Sequence, residues 1–210
     1  QREDAPVYLE KNINAGSPAA STEDYSKLKL NELEDEEFYG LIKKIKELHT
    51  KYVEGKLQEM HQKHESLNEE LSLLEEGKEA KKHLLQTSAL LGILEQQKQM
   101  QANCSYIEFG AGKGQLAFYV AQLLQQQQLS NSQVLLIDRM SLRHKKDNKI
   151  EDKTLVHRIR ADIADLNLNQ LELLEKSQHI VAISKHLCGA ATDLTLRCLE
   201  HCSKSTSNFI

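Results

Sequence analysis

The stretch "YIEFGAGKGQLAFYV", residues 106–120, constrains the fold more than any other part of this chain. An apolar run stops at three glycines on alternate positions, Gly110, Gly112 and Gly114. A helical pattern of Leu116, Tyr119, Val120, Leu123 and Leu124 begins at once. A short apolar run followed by a 3.6-residue stripe reads as a strand feeding a helix. Glycines at that junction allow a tight turn and a close backbone approach by a ligand, and the opening helix offers amide donors. The pattern predicts the first βα unit of a nucleotide-binding sheet.

The next units agree with it. After Met100 the runs "CSYIEF", "QVLLID", "LVHRIRADI" and "HIVAISKHL" alternate with helical patterns, which predicts an α/β fold with about four strands. Asp138 closes the second run, one βα unit beyond the glycines, where a carboxylate accepts hydrogen bonds from both hydroxyls of a ribose. A dinucleotide fingerprint requires Gly or Ala three residues after its second glycine, but position 115 is Gln, which weakens an NAD reading.

Ahead of the sheet, residues 1–34 hold both prolines and no sustained period, so a loosely ordered leader is expected. Phe38, Leu41, Ile42, Ile45, Leu48, Tyr52, Val53, Leu57 and Met60 then recur at helical spacing. Leu67, Leu71 and Leu74 continue it to Gly77, and Leu84, Leu85, Leu91 and Leu94 resume it, so residues 35–100 are expected to form a helical hairpin or short coiled coil. Residues 101–210 make the third region, the cofactor-binding half of a domain.

Of the 210 residues, 40 % are hydrophobic and 28 % charged, no apolar run is long enough to span a bilayer, and the first residues lack the basic flank and apolar core of a secretory signal. Cys104, Cys188, Cys198 and Cys202 form no CxxC pair, so no structural zinc is expected and a reducing, intracellular setting, nuclear or cytoplasmic, is favoured. The helical spacing of Cys198 and Cys202 reads as core packing. A net charge of −4 excludes nucleic-acid binding by bulk charge. Residues 138–149 nonetheless gather Arg139, Arg143, Lys145, Lys146 and Lys149, the best candidate contact for a phosphate backbone.

The spacing Glu108-x-Gly110-x-Gly112-x-Gly114 is similar to motif I of class I S-adenosylmethionine-dependent methyltransferases. That resemblance implies a Rossmann-like sheet in which Glu108 and the glycine loop hold the methionine portion of the cofactor, with Asp162 of "IRADI" beside the adenine. A narrower likeness covers nearly the whole chain. "YIEFGAGKGQLA", "LLIDR", "IRADI", "KHLCGAATDLTLRCL", "KKHLLQTSALLGILE" and "VYLEKNINAG" together resemble the eukaryotic tRNA 2′-O-methyltransferase family, number thirteen among tRNA methyltransferases, which modifies nucleotide 4 of the acceptor stem. The resemblance implies S-adenosylmethionine as cofactor and tRNA as partner; a protein partner engaged by the N-terminal helices is a further expectation. Members also carry Cys/His zinc-binding segments and a seven-stranded sheet. Neither is complete here, so the chain is expected to be a truncated portion of the enzyme with an apolar sheet edge beside its fourth strand.

The fourth strand ends at Lys185, His186 and Cys188, where the carboxyl ends of strands line the ligand crevice. A ribose hydroxyl is a poor nucleophile, so Lys185 is the candidate to orient or deprotonate it and His186 is the rival. Cys188 is expected to pack beside Gly189. Two other readings fit the sequence: an inactive cofactor-binding module whose helical arm engages partners, and a methyltransferase acting on protein or a small molecule.

Overall fold

A computed structural model describes residues 6–16, 29–57, 62–143, 145–203 and 206–209. The chain divides into two compact units, residues 1–16 with 62–210, and residues 17–61. Among the described residues five α-helices, α1 (Asp35–Tyr52), α2 (Asn68–Ser72), α3 (Glu79–Gln96), α4 (Gln115–Gln126) and α5 (Ala190–Glu200), accompany five strands. The strands are β1 (Cys104–Phe109), β2 (Gln133–Asp138), β3 (Val156–Arg160), β4 (His179–Ile183) and β5 (Thr206–Phe209).

All neighbouring strands run parallel, in the order β3-β2-β1-β4-β5. Apolar runs with little polar alternation suit such strands because helices cover both faces of the sheet. Alternation along each strand then assigns the layers. Tyr106, Val134, Leu136, Val181 and Ile183 pack with α3 and α4 on one face. Ile107, Phe109, Leu135, Ile137 and Ala182 pack with α5 and the turns of residues 163–174 on the other. Cys198 and Cys202 are buried in this second layer. Cys188, expected to pack beside Gly189, is instead exposed.

One expectation, the open sheet edge, needs correction. The sheet has a fifth strand, paired to Ile180, Val181 and Ala182 of β4, so β4 is interior and the expected apolar edge is covered. A four-residue polar strand in a Ser-rich tail carries no periodic signal. The coiled coil expected over residues 35–100 is not confirmed, and each helix is described within its own unit. The α1 helix has no buried residue, with Leu41, Ile45, Leu48 and Tyr52 exposed, whereas Leu84, Leu91 and Leu94 of α3 are buried against the sheet layer. Helical spacing specifies that a face is buried without specifying against what.

The helices α2 and α3 belong to the same compact unit as the sheet. Met60 lies outside the described residues. Residues 6–16 of the expected leader are docked, while residues 1–5 and 17–28 lie outside the described residues. Leu9 pairs with Leu166 in an antiparallel bridge. Asn14, fully buried, donates from Nδ2 to the carbonyls of Ile163 and Leu166 at 2.7 and 2.8 Å. One asparagine satisfying two carbonyls needs no apolar period, so pattern reading missed it. Among the described residues no helix is long and apolar enough to cross a membrane.

Candidate cofactor-binding site

In the strand order observed here the chain moves outward from β1 in both directions, so the crevice opens at the carboxyl ends of β1 and β4. The glycine loop lies there. Gly110, Gly112 and Gly114 all adopt left-handed backbone, φ +65°, +52° and +72°. Their roles differ. A Cβ on Gly112 would meet only the Gly110 carbonyl oxygen at 4.0 Å, so that position faces open space and a ligand can approach its backbone. A Cβ on Gly114 would lie 2.5 Å from Asp147, 2.7 Å from Leu136 and 2.8 Å from Arg158, so Gly114 makes room for the protein's own atoms.

Glu108 points from β1 into the start of α4, where its Oε2 accepts the Ala117 amide at 2.9 Å. It is 4 % exposed. Burial penalises its charge and pushes its pKa from 4.5 to about 8, while the Ala117 bond and the charges of Arg158 and Lys185 pull part of the rise back. Asp138, at the end of β2, accepts the Gly112 amide on Oδ2 at 2.7 Å and the Met140 amide on Oδ1 at 2.8 Å. Each carboxylate oxygen offers two acceptor sites, so both keep one for a ligand hydroxyl. Asp162 is exposed after β3, where its side chain caps the next turn through the Ala164 amide at 3.0 Å. That turn is gripped from outside by the N-terminal segment: Asn14 donates to the Ala164 carbonyl and Glu10 to that of Asp165.

Lys185 and His186 follow β4 beside the glycine loop. Ser184 ties the two strand ends by donating to the Phe109 carbonyl at 2.9 Å, and Leu187 approaches the position of a Gly110 Cβ to 3.6 Å. Lys185 Nζ donates to the His83 carbonyl of α3 at 2.9 Å. Partial burial lowers the Lys185 pKa, against the attraction of Glu108. The His186 ring meets the His83 ring edge-on with centroids 5.8 Å apart, and His83 Nε2 stands 3.4 Å from Glu79. Thus α3 walls this end of the crevice, a contribution the sequence reading assigned to no residue of that helix.

The basic segment divides. Arg139, Arg143 and Lys149 are exposed and Lys145 is half-buried. Lys146 is not available to a phosphate backbone as the run of charges implied: its Nζ contacts the Tyr119 hydroxyl, lies 4.0 Å over the Tyr119 ring and pairs with Glu70 at 3.7 Å. Asp147 is buried with Arg158 as a bidentate pair at 2.7 and 3.3 Å. Sequence reasoning missed Arg158, although a signal existed: it stands on β3 two residues from Val156, in register with buried Leu136 of β2.

A parallel 3-2-1-4-5 sheet, with a glycine loop after its first strand and a carboxylate ending its second, is a Rossmann-like nucleotide-binding sheet. The profile of the methyltransferase TRM13 family matches residues 85–210, and the chain belongs to that family. The tRNA:m(4)X modification enzyme TRM13 homolog of Mus musculus is 34 % identical over 200 residues, covering 92 % of this chain and 40 % of that protein. The Homo sapiens homolog is 33 % identical over 196 residues with the same coverage. The TRM13 enzyme of Schizosaccharomyces pombe is 41 % identical over 138 residues, covering 60 % of this chain and 36 % of that protein. The chain therefore spans about two fifths of the length of these relatives. A solved structure of coclaurine N-methyltransferase, bound to N-methylheliamine and SAH, aligns with 84 % of this chain and 57 % of its own at TM-score 0.42 and 17 % identity.

Proposed function

We propose that this chain is the cofactor-binding portion of an S-adenosylmethionine-dependent tRNA ribose 2′-O-methyltransferase acting on nucleotide 4 of the acceptor stem. The observation that carries the reading is the pairing of Gly112 with Asp138. An open, left-handed glycine backbone lies hydrogen-bonded to a carboxylate that retains one acceptor site on each oxygen, the acceptors that the two hydroxyls of a ribose require. The curated relatives, tRNA modification enzymes by name, support tRNA as the substrate.

In this reading Asp138 holds the ribose hydroxyls, Glu108 and the glycine loop hold the methionine portion, and Asp162 stands beside the adenine. When bound, the cofactor supplies an electrophilic sulfonium methyl. The chain's own work is to orient the acceptor and manage its proton. Lys185 Nζ, next to the crevice and with a pKa lowered by burial, accepts the proton of the 2′-hydroxyl and, as the resulting ammonium, stabilises the oxygen that it has uncovered. His186, the next residue along, is the rival for that role. The exposed Arg139, Arg143 and Lys149 and the half-buried Lys145 hold phosphates, which positions the stem without reading its sequence.

The test is calorimetry with S-adenosylmethionine and with NAD, followed by transfer of a labelled methyl to total tRNA and nuclease mapping of the product. Binding of S-adenosylmethionine alone and label on a 2′-oxygen at nucleotide 4 are expected. Binding of NAD, or label on a base, overturns the proposal. Tight cofactor binding with no transfer to any tRNA favours the inactive-module reading instead.

A further inference from the structure

We propose that Arg158, locked onto Asp147, is the positioning residue that holds the glycine loop in its cofactor-binding conformation; this rests on the reading that the loop seats S-adenosylmethionine. A loop with three left-handed glycines has many conformations to lose, since glycine gives up more backbone freedom than any other residue on ordering. Something must hold it to one. Gly112 is gripped on both sides: its amide donates to Asp138 at 2.7 Å, and its carbonyl accepts from Arg158 Nη1 at 2.9 Å.

Only a planar fork can do what Arg158 does. Nη2 and Nε face the two oxygens of Asp147 at 2.7 and 3.3 Å, which leaves Nη1 directed at the loop. Asp147 is buried, at 8 % exposure, and Arg158 is largely covered, at 16 %, so the guanidinium cannot swing into solvent without stranding a buried carboxylate. The turn that carries Asp147 grips the next peptide as well, since the Lys146 amide donates to the Lys113 carbonyl at 2.8 Å. Gly114 fits the same account: the space its Cβ would take is filled by Asp147 and Arg158. The brace therefore explains two features that a ligand does not, the buried ion pair and the third glycine.

The test uses the 210-residue chain, a double variant Arg158→Met with Asp147→Leu, and the single variant Arg158→Lys. Removing both charges strands neither, so the double variant retains the wild-type unfolding midpoint. Amide hydrogen exchange at residues 112–114 is expected to quicken by about tenfold or more while β1 and β2 stay protected, and S-adenosylmethionine is expected to bind about tenfold more weakly. Arg158→Lys keeps the charge against Asp147 and loses the fork, so it shares both defects. If the double variant does not fold, Arg158→Lys carries both measurements.

Loop exchange and cofactor affinity within about twofold of wild type in a folded variant overturn the brace, on the scale where one lost hydrogen bond exceeds that change. Full cofactor affinity in Arg158→Lys also overturns it, because charge alone would then suffice. A wild-type chain that binds no S-adenosylmethionine overturns the cofactor reading, and the exchange measurement then decides the brace by itself.

Discussion

Replacing Glu108 with Gln removes one buried ionisation while keeping an oxygen in place to accept the Ala117 amide, so its effect isolates the charge. In the folded chain the carboxyl titrates near 8 against an ordinary value of 4.5, with burial as the main cause. Between those two values the folded state binds a proton that the unfolded state has released. Stability from this group is therefore fully present below 4.5 and is lost as pH rises through about 8. At about 1.4 kcal/mol per tenfold, the loss amounts to at most about 5 kcal/mol, and water reaching the glycine loop reduces it. Chemical denaturation of wild type and Glu108→Gln across this range is the assay. The variant should gain steadily on wild type as pH rises from acid toward 8, by about 2 to 4 kcal/mol, and hold that lead above it. Titrations common to both proteins, such as that of Lys146, cancel in the difference. Parallel stability curves, or a wild type that gains on the variant with rising pH, would refute the assignment of a buried, neutral Glu108.

Asp138→Ala should weaken S-adenosylmethionine binding by about 1 to 3 kcal/mol in calorimetry, since it removes two acceptor sites and frees the Gly112 amide. Asn14→Ala should cost about 2 to 4 kcal/mol of unfolding free energy, because the buried carbonyls of Ile163 and Leu166 lose their donor, and it should loosen the turn that follows Asp162. In a methylating protein, Lys185→Ala should slow single-turnover transfer by about 10²-fold with cofactor affinity unchanged; an unaltered rate moves the role to His186. Lys145→Ala with Lys149→Ala should weaken tRNA binding and flatten its salt dependence by about two phosphate contacts, whereas Lys146→Ala should lower the unfolding midpoint instead.

The elements legible in the sequence are those whose information is local. The strands β1 and β2 coincide with the apolar runs "CSYIEF" and "QVLLID", and α4 buries Leu116, Tyr119, Val120, Leu123 and Leu124 as its period requires. The glycine turn belongs to the same class, because left-handed backbone is a property of the residue that occupies it. Those three elements place Glu108, the glycines and Asp138 without any knowledge of the remaining chain.

Tertiary structure decided what depends on which surfaces meet. The apolar face of α3 covers the sheet, which brings the His83 carbonyl to Lys185. A run of positive charge split into exposed residues and Lys146, folded onto Tyr119 and Glu70, because Tyr119 faces the turn of residues 146–149. Asn14 and Arg158 bond to partners 149 and 46 residues away, the carbonyls of Ile163 and Gly112. A hydrogen bond across such a separation leaves no period in the sequence at either end. Periodicity records only how much of a face is buried, so the partner that buries it is settled when the layers close.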